Sequence, residues 1–501
     1  MGKQKKVIVI GGGIAGLSAG CYLQMNGFTT EVYETAPTPG GVTASWKRKG
    51  YTFDGGTNWF PGSGPRCNFY PLINELLDFK NHRVIDFDKF MRVCSKDGPY
   101  LDVFTDVDKL RNEMVRIAPE DKKTIDTFIN AIRFASKCNL PVEKPKELFS
   151  LSDYLKIGVT SLPLGLFYSK WRKITLSQFA RKFSNPHLRH LFENIFPRHG
   201  YFSVLGLIMA LAWMSIDAAG YPLGGSQWII SSLLEKYHRL GGTLYCSKGV
   251  SKIITHKRMA SGVLLDDGTE KHSDIVIAAC DSHSTHYRLL DGRYTTPRID
   301  SFYQTAPVFP ALIQISLGCR KNFSDFTHKT VLEFSPPLQC GSDTINLLQV
   351  RFCHFDQSLA PDGGTSVIVH LRTHDYQYWV NLRKNNRIAY NEEKQRITER
   401  VIEVLESYCG PLRASIEVID TATPATYIRY TNIYKGSYQS WAPTPKLIGN
   451  SLDKKVPGLL NFYFCGQWVE PAGGLPRAVL SSRNVVQMVC ADNGMKFSAV
   501  P

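Results

Sequence analysis

No apolar run in this 501-residue chain reaches the roughly 20 residues that a membrane-spanning helix needs. The longest, Tyr201 to Ile216, is interrupted by Gly206 and reads as a buried helix. Paired cysteine spacing is missing too. The 12 cysteines are scattered, with no C-x-x-C and no Cys/His pattern of the metal-ligand kind. That argues against a bound metal and against a disulfide framework, and it points to a reducing compartment. Internal repeats and low-complexity tracts are absent, which removes solenoids and linker-rich architectures. Acidic residues are in deficit: 59 Lys and Arg stand against 44 Asp and Glu, a formal charge of +15. The excess is spread over Lys47-Arg48-Lys49, Trp171-Arg172-Lys173, Arg181-Lys182 and Arg383-Lys384. No nucleic-acid-binding module accompanies these clusters, so nucleic acid is not an expected partner. A hydrophobic content of 43% with 21% charged residues describes an ordinary globular chain of two or three domain-sized units.

What is present is concentrated at the start. Val7-Ile8-Val9-Ile10 is the β-branched run of a buried parallel strand, and Gly11, Gly13 and Gly16 follow it in G-x-G-x-x-G spacing. The first glycine allows a tight turn, the second lets backbone approach a pyrophosphate, and the third lets helix pack on strand. A helix from Ile14 to about Asn26 aims its N-terminal amides, Ile14 and Ala15 first, at that pyrophosphate. Thr30-Glu31-Val32-Tyr33 then forms a second strand that delivers Glu34. Counting from Gly11, 34 minus 11 gives a spacing of 23, close to the roughly 20 expected for a carboxylate on ribose hydroxyls. An adenine dinucleotide is the expected ligand. Lys3 to Lys6, the apolar run and Ser18-Ala19-Gly20-Cys21 imitate an export signal. The glycine spacing accounts for those residues better, so a cytoplasmic chain is expected, free or peripheral on a membrane.

Two further glycine-rich segments favour FAD over a nicotinamide. Pro37-Thr38-Pro39-Gly40-Gly41 and Tyr51-Thr52-Phe53-Asp54-Gly55-Gly56-Thr57 follow Glu34, with Asn58 and Trp59 next as candidates for the ring's face. Late in the chain, Asn461 to Gln467 reads as a strand ending at Gly466. It leads through Glu470-Pro471-Ala472-Gly473-Gly474-Leu475-Pro476 into a second helix. A helix N-terminus there suits the electron-rich edge of a reduced flavin.

These blocks, with Gln467-Trp468-Val469-Glu470-Pro471-Ala472-Gly473-Gly474-Leu475-Pro476 and Tyr430 to Ser437, resemble the phytoene desaturase-like flavoproteins. That branch of the FAD-dependent amine oxidase superfamily holds carotenoid desaturases, carotenoid isomerases and retinol saturases. The resemblance implies that Gly11, Gly13, Gly16 and Glu34 hold the ADP half of FAD, with Val250 against adenine. It implies Gly40 and Gly41 along the pyrophosphate and ribityl chain, and Gly466, Gly474 and Leu475 at the pyrophosphate and the flavin ring. Two departures stand out. Val42 replaces an arginine common after the paired glycines, and residues 467–475 offer only Trp468 where amine oxidases place two aromatics.

The expected fold is α/β. A discontinuous Rossmann-type FAD-binding domain (1–75, 225–300 and 441–501) is joined to a substrate domain (76–224 and 301–440) of helices and a mixed sheet, in the amine oxidase-like two-domain arrangement. The first substrate segment is expected to be helical, with a candidate membrane-contacting stretch at 148–173. Leu164 to Tyr168 lies there beside Trp171-Arg172-Lys173, apolar and cationic residues of the kind that suit an interface. The expected reaction is desaturation, saturation or isomerisation of carbon–carbon bonds in a hydrophobic isoprenoid or carotenoid-like substrate, by hydride transfer at flavin N5. Glu470 is the candidate for proton transfer, and the electron acceptor stays open. Two alternatives are carried: an amine oxidase-type oxidase of a polar small molecule, and a non-catalytic lipid-escort protein. His283, His286, His370 and His374 are expected at the surface or hydrogen-bonded, since strand spacing does not aim them at one metal.

Overall fold

The computed structural model describes residues 4–96, 98–154, 162–469 and 474–500. Four apolar residues flanked by a glycine turn build the first strand, β1 (Lys6–Ile10), whose core residues Val7, Ile8 and Val9 are fully buried. Helix α1 (Ile14–Met25) returns the chain to β2 (Thr29–Tyr33), which pairs parallel with β1. Three later strands complete a five-stranded sheet in the order Phe462–Phe464, Ile275–Ala278, β1, β2, Thr243–Tyr245. Every pairing in it is parallel, and parallel sheets need both faces covered. On one face α1 packs with the helices Gly225–Arg239 and Leu475–Asp492. The opposite face carries Ile8, Ile10, Val276 and Ala278, covered by residues such as Ile253 and Val263 of a three-stranded antiparallel sheet.

A second, seven-stranded sheet runs in the order Ile416–Ala422, Ala311–Cys319, Thr365–Thr373, Asp343–Phe352, Lys329–Cys340, Lys89–Cys94, Tyr100–Phe104. Its last two strands come from the segment expected to be helical. Short alternations such as Met91, Val93, Leu101 and Val103, all inward and buried, make them strands. One face of this sheet is dry: Ile313, Ile315, Val350, Phe352, Val369 and Leu371 pack on the helix Arg387–Cys409. The other face carries Gln314, Gln349, His370, Lys329, Arg351 and Arg372, all buried. That face lies under a helical layer that includes Val107–Ile117, Lys122–Ala135 and Val204–Met214, with Val331 and Leu347 packed into the helical core. The last of these helices is the buried one expected within 201–216. No helix among the described residues is long and apolar enough to cross a membrane.

Candidate functional site

A long groove opens where β1, β2 and the strand Phe462–Phe464 end. The carboxyl ends of parallel strands are the usual ligand side of such a sheet. Gly11, Gly13, Ile14, Ala15, Glu34, Gly40, Gly41, Val250, Gly466, Gly474 and Leu475 all line it. These residues span almost the whole length of the chain and meet in one place.

Each part is held by local chemistry. Gly11 turns with φ of 104°, a conformation that side-chain-bearing residues rarely adopt. Glu34 is buried, and its Oε2 accepts from the Gly12 amide at 2.7 Å while Oε1 accepts from Ala36 at 2.8 Å. Burial raises its pKa against those amide donors. Gly40 N donates to Gly12 O at 3.0 Å, docking the second glycine segment on the first. Helix α1 has no side-chain N-cap and no acidic residue in its first turn, so no side chain competes with a ligand at its start. The helix Leu475–Asp492 likewise starts at Gly474 without a side-chain cap. It is pinned beside α1 by Ser482 Oγ donating to Ala15 O at 2.8 Å.

Three expected site residues lie elsewhere. Gly16 is behind the groove, where an added Cβ would sit 1.8 Å from Gly11 O, so its role is strand–helix packing. Thr57 is fully buried, donating from its amide to Asp54 Oδ1 at 2.9 Å and sharing a 2.8 Å hydroxyl contact with Ser226. It stabilises the Gly55–Gly56 wall and does not face the groove. Asn58 lines a separate small cavity with Trp59, Phe90, His328 and Lys329. Glu470 lies outside the described residues, as do Pro471, Ala472 and Gly473.

The groove also recruits residues that motif reading passed over. Asp281, Ser284 and Arg288 follow the buried strand Ile275–Ala278, and Thr431, Asn432 and Ile433 come from the Tyr430–Ser437 stretch. Arg288 brings a cation to the groove that Val42 does not. A buried strand ending in Ala-Ala-Cys-Asp at the carboxyl side of a parallel sheet was the available signal. His286 departs from expectation: it is buried against Phe464 with Nδ1 unpartnered, and burial lowers its pKa to about 4. His283 stacks on Tyr434, and His370 shares a 3.1 Å hydrogen bond with Gln314.

Asp281 is the group on this wall whose titration is legible. Its carboxylate accepts from the amides of Ser284 (2.7 Å) and Tyr434 (2.8 Å), yet burial raises its pKa from 3.8 to about 6. The native state therefore binds the extra proton between those values, and this residue's contribution to stability falls as pH rises from about 4 to 6. In urea unfolding at pH 4.5 and 6.5, wild type is expected to lose on the order of 2 kcal/mol relative to Asp281→Asn across that interval. Equal pH slopes in the two proteins would refute the assignment.

The groove also passes a test of fit for FAD. Among the described residues, a Cβ on Gly13 would meet only Gly40 atoms, at 3.8 Å and beyond, and one on Gly474 would meet nothing within 4 Å. Both glycines thus leave open space on the groove side, at two uncapped helix starts. A sequence profile for flavin containing amine oxidoreductases matches residues 14–490. The chain belongs to that family. Relatives include a phytoene desaturase (lycopene-forming) of Pseudescherichia vulneris, 23% identical over 97% of this chain and 99% of its own. A prolycopene isomerase of an Oncidium hybrid cultivar is 24% identical over 98% of this chain and 85% of its own. Among solved structures, an oxidoreductase from Methanosarcina mazei superposes with a TM-score of 0.61 at 18% identity, covering 96% of this chain and all of that one. A putrescine oxidase bound to putrescine gives 0.63 at 15% identity, covering 97% and 99%. The protein is an FAD-dependent oxidoreductase with the two-domain α/β fold of the amine oxidase-type flavoproteins.

Proposed function

We propose that this flavoenzyme desaturates, saturates or isomerises carbon–carbon bonds of a hydrophobic, isoprenoid-like substrate, within the domain division expected from the sequence. The observation that carries this reading is the apolar ground beside the groove. Tyr438 on the groove wall touches Phe309 (5.4 Å between ring centroids), which touches Phe202 (4.8 Å) within the large helical core. The names borne by the desaturase and isomerase relatives support the same substrate class. An amine substrate is disfavoured, because its positive charge would meet Lys329, Arg351 and Arg372 on the inner sheet face.

Bound FAD supplies two-electron chemistry at flavin N5. In this reading, the first amides of α1 with Gly11 and Gly13 hold the pyrophosphate, Glu34 takes the ribose, and Val250 meets adenine. Gly40 and Gly41 follow the chain toward the ring. Gly466, Gly474 and Leu475 bring the second helix start to the ring's polar edge, and Arg288 offsets phosphate charge. Gly16 and Thr57 keep these walls in place from behind. Glu470, four residues ahead of Gly474, is proposed to move the proton that accompanies carbon–hydrogen bond change.

Peripheral membrane contact fits the surface of the two described parts of 148–173. Leu151, Tyr154, Leu162 and Leu166 are exposed, with Lys170 and Lys173 exposed beside them; residues 155–161 of that stretch lie outside the described ones. The test is to supply a polyene in anionic vesicles to the yellow protein and follow double-bond number by mass spectrometry. Vesicle co-sedimentation and turnover are expected, with Glu470→Gln lowering turnover about 100-fold at unchanged flavin content. A flavin-loaded protein that leaves every polyene intact and instead releases peroxide with amines would overturn the proposal.

A further inference from the structure

Three cations are buried on the inner face of the seven-stranded sheet, and among the described residues no carboxylate pairs with them, although the Asp54 charge reaches Arg351. Lys329, Arg351 and Arg372 are 6%, 4% and 7% exposed. The strands bring them together: Lys329 is the register partner of Arg351, and Arg372 stands two residues past His370, which pairs with Gln349. Cations are almost never fully buried unless paired. None of the three forms an ion pair among the described residues.

The donors that remain are specific. Arg351 Nη1 donates to Thr57 O, and Arg372 Nη2 donates to Gln349 Oε1 at 3.0 Å, but Nε of each arginine is buried without an acceptor among the described residues. Lys329 Nζ has no hydrogen-bond acceptor among the described residues and lies over the Phe90 ring, 4.2 Å from its centroid. The Tyr201 hydroxyl and both ring nitrogens of His199 are also buried without a hydrogen-bond partner among the described residues. Nearby carboxylates are committed elsewhere: Asp343 pairs with Arg198 at 2.5 Å, and Asp54 accepts from the amides of Gly56, Thr57 and Ser226. Asp86 lines the small cavity that Lys329 lines but makes no ion pair with it. Burial, followed by Arg372 and Arg351, pulls Lys329 down to about 7. His199, which feels the Arg372 charge, packs tilted against Phe202 (4.2 Å between ring centroids), and Phe202 touches Phe309, so the cluster borders the aromatic wall that reaches the groove at Tyr438.

We propose that the substrate carries an anionic end group, a carboxylate or phosphate, seated among Lys329, Arg351 and Arg372, with its apolar chain running along the aromatic wall toward the cofactor groove. This rests on the hydrophobic-substrate reading above and narrows it to anionic amphiphiles. The cofactor's own phosphates are accounted for at the glycine turn, so they do not supply the missing charge.

The test uses the flavin-loaded protein and three probes of one polyprenyl chain length: the carboxylate, the monophosphate and the neutral alcohol, with titration calorimetry and melting curves as readouts. At least one anionic form is expected to bind about tenfold tighter than the alcohol, as hydrogen bonds to a charged group imply, and the better of the two names the end group. Lys329→Met and Arg372→Leu should each keep their flavin and lose that preference. Lys329→Met should melt no lower than wild type, because an uncompensated charge has gone. An alcohol that binds as tightly as both anions, or a preference that survives both substitutions, overturns the proposal. If no amphiphile binds but inorganic phosphate or acetate does, and only with Lys329 present, the anion site stands and the hydrophobic-substrate reading falls. If a neutral polyene is turned over while the anionic forms gain nothing, the anion site falls and that reading stands.

Discussion

Valine in place of Gly13 is expected to give a folded protein that carries no flavin. Gly13 has φ −78° and ψ −175°, an extended backbone that any residue adopts. Its Cβ direction is open, with Gly40 O the nearest atom at 3.8 Å. The new side chain therefore costs the polypeptide little and fills the space a pyrophosphate would enter. Gly16, three residues on, predicts the opposite. There an alanine methyl would lie 1.8 Å from Gly11 O and 3.0 Å from its carbonyl carbon, backbone atoms that cannot swing aside. The helix would have to leave the strand, at a cost above the about 1–3 kcal/mol of ordinary overpacking, and Gly16→Ala is expected in the insoluble fraction. Visible absorbance of purified Gly13→Val, with circular dichroism to show that it is folded, checks the first claim. A variant as yellow as wild type would mean that no phosphate approaches the turn at Gly13.

The second large effect concerns an ion pair far from the groove. Arg483, in the helix Leu475–Asp492, makes a two-pronged contact with Glu75, Nε at 2.7 Å and Nη2 at 2.9 Å. Both side chains are largely buried, at 10% and 16% exposed. Tyr22 of α1 donates its hydroxyl to Glu75 Oε2 at 2.8 Å, and Arg483 Nη1 donates to Glu143 O at 2.8 Å. Glu75→Leu leaves the guanidinium buried without its counter-charge, and a loss of about 3–5 kcal/mol is expected. Because this helix begins at the groove, flavin affinity should fall as well. Adding Arg483→Met to Glu75→Leu removes the orphaned charge, and most of the stability is expected to return. Urea midpoints of the two single variants and the double variant measure this. A double variant no more stable than Glu75→Leu would show that the pair acts through packing and not through charge.

The contrast between Gly13 and Gly16 also shows what could be read in the sequence. The β1–α1–β2 unit is local, so its strands, helix and closing Glu34 follow from residue order, and the chain folds as that order implies. The late block from Gly466 to Leu475 was legible for the same reason, a strand end feeding a helix start. Which member of a motif faces the ligand is another matter. Thr57 and Asn58 sit next to groove-lining Gly55 and Gly56, yet one points into the Asp54–Ser226 network and the other into a different cavity. The alternation Arg351-Phe352 or Leu371-Arg372 reads as core inward and polar outward. Only the helical layer laid over the sheet, contributed by residues far away in the chain, turns that outward face into an interior.

The order of strands in the parallel sheet bears on how the protein is made. The edge strand Phe462–Phe464 enters beside Ile275–Ala278, which itself lies beside Lys6–Ile10. At roughly 5–20 residues per second, the opening turn leaves the ribosome on the order of 25–100 s before the helix ending at Asp492 can cover it. Until then the flank of α1 that this last helix covers stays exposed, while the helix Gly225–Arg239 can pack on α1 earlier. The groove, lined by Gly466 and Gly474 as well as by Gly11 and Gly13, is thus complete only once nearly the whole chain has been made.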